Sequence, residues 1–419
     1  MWLLPRAARA AAAALAVSTA GLAVAQDLSG HGGPVGALAV SGDAVLSGSF
    51  DTRAILWEGS TATASRVLRF HDGAVTATAF LPDGRLATAG QDGRVAIWEA
   101  VGTSPRIVTA EHRAPVGALA ATPDGSALLA TSWDGRLQRI DLADGEVRLE
   151  TAHRDRIAGI GVLADGSVVT VGSDLRFALR GPDLGLRAAA DLPALPNGIA
   201  VAGDRVAVVF ADGSLRSFTP EGALRPERFL TDRPLVAVAA GPGVIAAAAV
   251  DGTVWLLELP DLAVRHRFDA GQGPVWALAI GAGTLLTGGG DGVIRRWDLL
   301  TGAPLGTGTA PAADAFDDGS RGAEVWRACA VCHSLTADDG SRAGPSLQGI
   351  FGRPIASLPG YDYSPALRAM NLVWTPETVA ALFEHGPEAY TPGSRMPEQR
   401  LPNADDRTAL VEFLDRMTQ

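Results

Sequence analysis

The sequence predicts an all-β propeller of seven blades, followed by a small all-α domain near the C-terminus. A turn aspartate recurs every 38 to 42 residues through the middle of the chain, and each interval holds several short apolar runs. After a segment rich in Pro, Ala, Asp and Gly, the apolar period changes from two to that of a helix. We expect a leader at 1–25, a propeller at 26–309, a linker at 310–318 and a helical domain at 319–419.

The recurring aspartate marks one blade per period, and a glycine follows it in most copies. The seven copies are Asp51, Asp92, Asp134, Asp174, Asp212, Asp251 and Asp291. In the second copy, the runs 75–80, 85–89 and 94–98 are separated by turn signals. A fourth strand, 66–70 in the first copy, is expected to close each unit. Four short strands in about 40 residues are typical of one propeller blade.

These features resemble the WD-repeat family, whose blades carry a Gly-His pair, a turn Asp and a terminal Trp-Asp. Gly30-His31 and Trp297-Asp298 match fully, while Phe218 and Leu257 stand where a Trp is expected. The resemblance implies a hydrogen-bonded set within a blade, best matched by His71, Thr88, Asp92 and Trp98.

Four histidines, one in each of four blades, could alternatively form a metal site or bind a second haem. The four are His31, His71, His112 and His153. Because the repeat accounts for them, we interpret them as structural.

Little sequence is left in front of the first blade to close the ring. Only 26–30 would precede His31 after leader removal, whereas 303–309 follow the last Trp-Asp. We therefore expect the last blade to be built mostly or wholly from its own sequence.

The first 25 residues predict export. Arg6 and Arg9 precede an alanine-rich apolar stretch, and Ala23-Val24-Ala25 is a small-residue cleavage site. An uncleaved anchor is the alternative. No later segment approaches the ~20 apolar residues of a membrane span, so we expect no stable membrane insertion after cleavage behind Ala25. The predicted location is the periplasm, and the net charge of −11 argues against a nucleic-acid partner.

The chain has two cysteines, Cys329 and Cys332, and His333 follows them directly. Two thiols at this spacing can add to the two vinyl groups of one haem, and the histidine then reaches the iron as a ligand. A redox dithiol would need a βαβ setting, and a zinc site a second Cys or His pair. We expect haem c, bound covalently, one per chain.

The second iron ligand is expected to be Met396, in the proline-stiffened loop 390–397. Met370 and His385 are the alternatives, and Met417 is interpreted as packing of the last helix. A His/Met pair makes His333 and Met396 the predicted metal ligands.

Residues 319–417 resemble a class I cytochrome c of the mitochondrial type. The matching segments are Gly322 with Trp326, the run 344–353, the run 360–364, and 390–396. The resemblance implies that the Pro345 carbonyl orients His333, and that Arg353, Tyr363 and Trp374 contact the haem propionates. In the family a tyrosine hydrogen-bonds the ligand sulfur, and here Leu382 takes its place.

The resemblance implies one-electron transfer in the periplasm with a redox protein partner, the propeller serving as a docking platform. The family's docking ring is often rich in lysine, whereas residues 317–419 hold 14 Asp and Glu against 9 Arg, which argues against an acidic partner. We expect a carrier rather than a stand-alone enzyme. One alternative is a catalytic propeller that binds quinone or a second haem, and another is a redox sensor.

Overall fold

The computed structural model describes residues 26–109, 112–306, 318–327, 329–330, 333–337, 344–361, 363–394, 396 and 400–418. The expected leader, nearly all of the expected linker and Cys332 lie outside these residues. The described part contains seven four-stranded antiparallel sheets, followed by five helices.

The first four blades follow the chain in order, one hairpin-linked sheet after another. Blade 1 contains β2 (Val35–Ser41), β3 (Ala44–Ser49), β4 (Arg53–Glu58) and β5 (Thr63–Arg69). Blade 2 contains β6 (Val75–Phe80), β7 (Leu86–Gly90), β8 (Val95–Trp98) and β9 (Pro105–Thr109). Blade 3 contains β10 (Val116–Ala121), β11 (Ala127–Ser132), β12 (Arg136–Asp141) and β13 (Val147–Thr151). Blade 4 contains β14 (Ile157–Val162), β15 (Val168–Gly172), β16 (Arg176–Arg180) and β17 (Leu186–Asp191).

The last three blades complete the ring. Blade 5 contains β18 (Pro196–Ala202), β19 (Arg205–Phe210), β20 (Ser214–Phe218) and β21 (Leu224–Phe229). Blade 6 contains β22 (Leu235–Gly241), β23 (Val244–Ala249), β24 (Thr253–Glu258) and β25 (Ala263–Asp269). Blade 7 contains β26 (Val275–Gly281), β27 (Thr284–Gly289), β28 (Val293–Asp298) and the N-terminal strand β1 (Leu28–Ser29). The first strand of each blade contacts that of the next, and β26 contacts β2, so the predicted seven-bladed propeller is confirmed.

Burial explains the composition of the blades. Second strands such as β7, β11 and β23 are buried along their whole length because both faces pack against neighbouring blades. Small residues fit these positions, as in the run of alanines 246–249. The outer strand β21 is exposed at every residue, which suits its charged side chains.

Three of the four blade histidines form the hydrogen bond to the turn aspartate that the repeat pattern predicted. In blade 2, His71 Nε2 lies 2.9 Å from Thr88 Oγ1 and its Nδ1 lies 3.1 Å from Asp92, while Trp98 donates to the same threonine. Blades 1 and 4 have the corresponding His–Asp bonds. The set is incomplete in blade 3, where His112 lies 3.7 Å from Asp134. No group of three or more His, Cys, Asp or Glu side chains suited to a metal occurs in the described part of the chain.

The last blade takes three of its four strands from its own sequence, as expected, but its outer strand comes from the N-terminal segment. The N-terminal strand β1 pairs with β28, Leu28 opposite Ile294, and Leu28 is completely buried. Among the described residues after β28, Pro304 forms a bridge with Trp297, Asp298 N donates to Ala303 O and Leu305 N donates to Arg296 O. Residues 307–309 of the expected outer strand lie outside the described part of the chain. Two residues suffice because one fully buried leucine fixes their register.

The C-terminal helices are α1 (Arg321–Trp326), α2 (Pro365–Arg368), α3 (Pro376–His385), α4 (Pro387–Tyr390) and α5 (Ala404–Met417). Trp326 and Phe413 lie in the core where α1 crosses α5, with ring centroids 6.2 Å apart. Loops and an isolated bridge between Pro354 and Val373 occupy much of the rest. Among the described helices, none has both the length and the apolarity that crossing a membrane requires.

Candidate haem site

One cavity in the C-terminal part brings together the side chains that the sequence singled out. It has an empty volume of about 1210 Å³, partly open to solvent. Seven of the predicted site residues line it: Cys329, His333, Pro345, Arg353, Tyr363, Trp374 and Met396. Most other lining groups are apolar, among them Leu347, Phe383 and Leu414. A large apolar cleft with a few converging polar groups is the usual form of a cofactor site.

His333 is held in the form that can bind a metal. Its backbone N–H donates to Cys329 O at 2.9 Å, which continues the turn after α1. Its Nδ1 lies 2.7 Å from the Pro345 carbonyl, which can only accept, so Nδ1 carries the hydrogen. Burial lowers the pKa of His333, and the positive charge of Arg353 lowers it further. The hydrogen bond to Pro345 acts in the opposite direction but is a smaller effect than burial. A neutral ring with an unprotonated Nε2 follows, as a haem ligand requires.

Gly344 sets how closely the chain approaches this ring. A Cβ at this position would lie 2.5 Å from His333 Cε1 and 2.7 Å from Nδ1. Real contacts are not this short, so only glycine fits without a shift of the ring or the chain. Sequence analysis placed Gly344 in the matching segment but gave it no role.

Cys329 follows the first helix and faces the cavity. Its N–H donates to Trp326 O at 2.8 Å. Burial raises the pKa of its thiol to about 12. A buried, protonated thiol is a poor redox nucleophile, which disfavours the dithiol alternative.

Met396 is the methionine that reaches the cavity. Ser394 Oγ accepts from its backbone N–H at 3.1 Å, and Ser364 Oγ donates to Gly393 O at 2.8 Å, so hydrogen bonds hold the loop just before Met396. Of the alternatives, His385 is exposed and stacks on Tyr390. Met370 and Met417 do not line the cavity.

The polar part of the lining is built around Arg353. Its guanidinium donates to Ser346 O at 2.7 Å and to Gln348 O at 3.2 Å. Trp374 N–H donates to Arg353 O at 3.0 Å. Leu382 also lines the cavity. An apolar side chain therefore occupies the position at which the family has a tyrosine hydroxyl that donates to the ligand sulfur.

Among the lining residues that sequence analysis did not assign to the site, two come from the propeller. Asp51 lies in the turn between β3 and β4 of blade 1 and Arg53 begins β4, far away in sequence. The turn differs locally in having Thr52 where most blades have glycine, but this difference does not indicate a contact with the helical domain.

Comparison with known proteins matches the two parts separately. The family model of the WD domain, G-beta repeat matches residues 63–99 and 104–141. A computationally designed protein, Ika8, is 18% identical with a TM-score of 0.53, over 65% of this chain and 99% of that protein, which shows the fold alone.

The C-terminal part has curated relatives. The cytochrome c of Cochliobolus lunatus is 36% identical over 103 residues, 24% of this chain and 94% of the relative. That of Arabidopsis thaliana is also 36% identical over 103 residues, 91% of its length. A cytochrome c homolog of Rickettsia felis is 39% identical over 93 residues, 22% of this chain and 53% of that protein.

Proposed function

Since this chain belongs to the cytochrome c family through 24% of its length, we propose that it is an exported one-electron carrier with one covalent haem c. The observation that supports this most is the meeting of His333, Met396 and Cys329 at one apolar cavity. A neutral imidazole, a thioether and a thiol are the groups that a c-type haem takes from a protein, so the residues present fit the cofactor.

In this proposal each side chain has a separate task. Cys329 and Cys332 bind the haem covalently, and His333 and Met396 ligate the iron. The bound haem supplies exchange between Fe(II) and Fe(III), at a potential that the Met ligand raises. Pro345 fixes the tautomer and orientation of His333. The apolar lining excludes water from the ligands.

We further propose that the chain works in the periplasm and that its propeller is the platform for a redox protein partner. A rigid ring of seven sheets presents many loops and suits binding. The rival idea of a catalytic propeller gains no support from the histidines, because those of blades 1, 2 and 4 are engaged inside their own blades.

The proposal is tested on the full chain produced in a host that matures c-type cytochromes. We expect a reduced α-band, a one-electron redox titration and a weak near-infrared Met–iron band. The band should vanish in Met396→Ala and persist in the control Met370→Ala. A band that survives in Met396→Ala would overturn the ligand assignment, and a chain without haem would overturn the function.

A further inference from the structure

The haem cavity is not closed by the helical part alone. Asp51 and Arg53 of blade 1 line it together with Tyr361 and Tyr363. Arg53 is 3% exposed, so its guanidinium lies inside the contact between the two parts of the chain.

Arg53 is short of partners for a buried cation. Its Nη1 donates to Thr52 Oγ1 at 2.9 Å, and its Nη2 lies 3.4 Å from the Tyr361 hydroxyl. Its Nε has no partner among the described residues, and no described carboxylate forms an ion pair with it. Guanidinium stays charged at any ordinary pH, and an unpaired buried charge is costly. The site therefore lacks an anion.

The neighbouring Asp51 does not fill this role. Its Oδ2 lies 2.9 Å from His31 Nδ1 and accepts from Gly32 N, and its Oδ1 accepts from the backbone N–H of Arg53. These bonds belong to the structural set of blade 1. They leave the Arg53 guanidinium without a counter-charge.

The same position in other blades shows that burial of Arg53 is not a property of the repeat. Arg94, Arg136 and Arg176 also stand two residues after the turn aspartate, in blades 2 to 4. Their side chains are 25%, 34% and 45% exposed. Each forms an ion pair with a carboxylate, Arg94 with Asp92 at 2.7 Å for example. Only in blade 1, among these four, is the arginine buried and unpaired.

A second arginine of blade 1 fixes the contact. Arg69, at the end of β5, places its Cζ 4.6 Å from the ring centre of Tyr361. Tyr361 in turn packs against Tyr363, with centroids 4.7 Å apart. This chain of contacts joins blade 1 to the wall of the cavity.

We propose that the guanidinium of Arg53, a residue of the propeller, binds a propionate group of the haem. Blade 1 then closes the edge of the cofactor that carries the propionates. This rests on the proposed function, because it requires the haem. A carboxylate matches the fork of a guanidinium, and the donor left over on Nε would be satisfied by it. The propeller then tunes the haem, since a buried positive charge favours the reduced state, which has one positive charge fewer.

The test compares Arg53→Gln with the matched control Arg136→Gln in the full chain. We expect Arg53→Gln to shift the ferrous/ferric equilibrium toward ferric by about tenfold, ~59 mV in midpoint potential. Arg136→Gln should leave it unchanged, and Arg53→Lys, which keeps the charge, should recover most of the shift. The propionate proton signals of the ferric protein should move in Arg53→Gln alone.

A native potential and unmoved propionate signals in a haem-loaded Arg53→Gln would overturn the proposal while leaving the cytochrome intact. A wild-type chain without haem would instead bring down the proposed function, and this inference with it. Equal shifts in Arg53→Gln and Arg136→Gln would also count against it, because a general effect of charge on the propeller would then suffice.

Discussion

At the scale of single residues, Gly344 and His333 define the proximal side of the site. The glycine leaves room for the imidazole, and the Pro345 carbonyl fixes its tautomer. Together, these contacts fix the position and the tautomer of the His333 ring before the haem binds.

Gly344→Ala tests this packing. The added Cβ would overlap Cε1 of His333, so the ring must turn away from its bond to Pro345. We expect a reduced yield of haem-loaded protein and a lower midpoint potential in the fraction that forms, measured by haem stain and redox titration. The control is Ala366→Gly, at an exposed residue of α2, which does not affect the His333 ring. Gly349→Ala would not serve as a control, because the positive φ of Gly349 would strain an alanine. A native potential in Gly344→Ala would contradict the role assigned to this glycine.

Two buried histidines of the propeller, His112 and His153, give its stability a pH dependence. Burial lowers the pKa of His153, although its contacts with Asp174 act to raise it. Burial likewise lowers the pKa of His112. The unfolded chain therefore takes up protons more readily below the ordinary value of ~6.5. Stability is fully present above that pH and is lost as the pH falls toward the folded-state pKa. The slope is at most ~1.4 kcal/mol per pH unit for each histidine.

His153→Gln should flatten this loss between pH 7.5 and 5.5 in urea unfolding followed by circular dichroism. Blade 7 provides the precedent, because Gln272 there bonds Thr287 and Asp291 in place of a histidine. His266→Gln, on the outer strand β25, serves as the control. An unchanged pH slope in His153→Gln would show that this histidine does not titrate on unfolding.

At the scale of elements, the crossing of α1 and α5 depends on Gly322. A Cβ there would lie 2.2 Å from Ala409 O and 2.5 Å from Phe413 Cβ. Asn403 is the residue that caps the start of α5. The Asn403 side chain accepts from Asp405 N at 2.8 Å.

Gly322→Ala separates helix propensity from packing. Helix propensity alone favours alanine over glycine by about 1 kcal/mol. Overpacking of the contact between the helices costs roughly 1–3 kcal/mol of stability. Because the obstacle is backbone, we expect net destabilisation of the helical part in thermal unfolding followed by haem absorbance. Glu324→Ala, on the exposed side of α1, should change little. A stabilised Gly322→Ala would show that the helices can separate at no cost.

At the scale of the whole molecule, the ring closes through two residues at its N-terminal end. Leu28→Ala should destabilise the propeller by about 2–5 kcal/mol, because it empties a fully buried position between β28 and the next blade. Leu300→Ala, at a residue 71% exposed, is the control. Equal urea midpoints for the two variants would mean that β1 does not close the ring.

The difference between prediction and structure follows from the range of the interactions. Blade number, the histidine bonds and the convergence of His333 with Met396 depend on spacings and motifs that are local in sequence. The two-residue strand β1 is shorter than any strand signal, so its pairing could not be foreseen. Arg53 and Arg94 both stand two residues after a turn aspartate, and it is the docking of the helical part on blade 1 that buries Arg53.

The central claim is that one haem is bound covalently in this cavity, and intact-mass spectrometry of the denatured full-length product tests it most directly. The account predicts the mass of a chain beginning at Gln26 plus one haem, retained after denaturation and located on the peptide with Cys329 and Cys332. The mass of the bare polypeptide, or haem lost on denaturation, would contradict it.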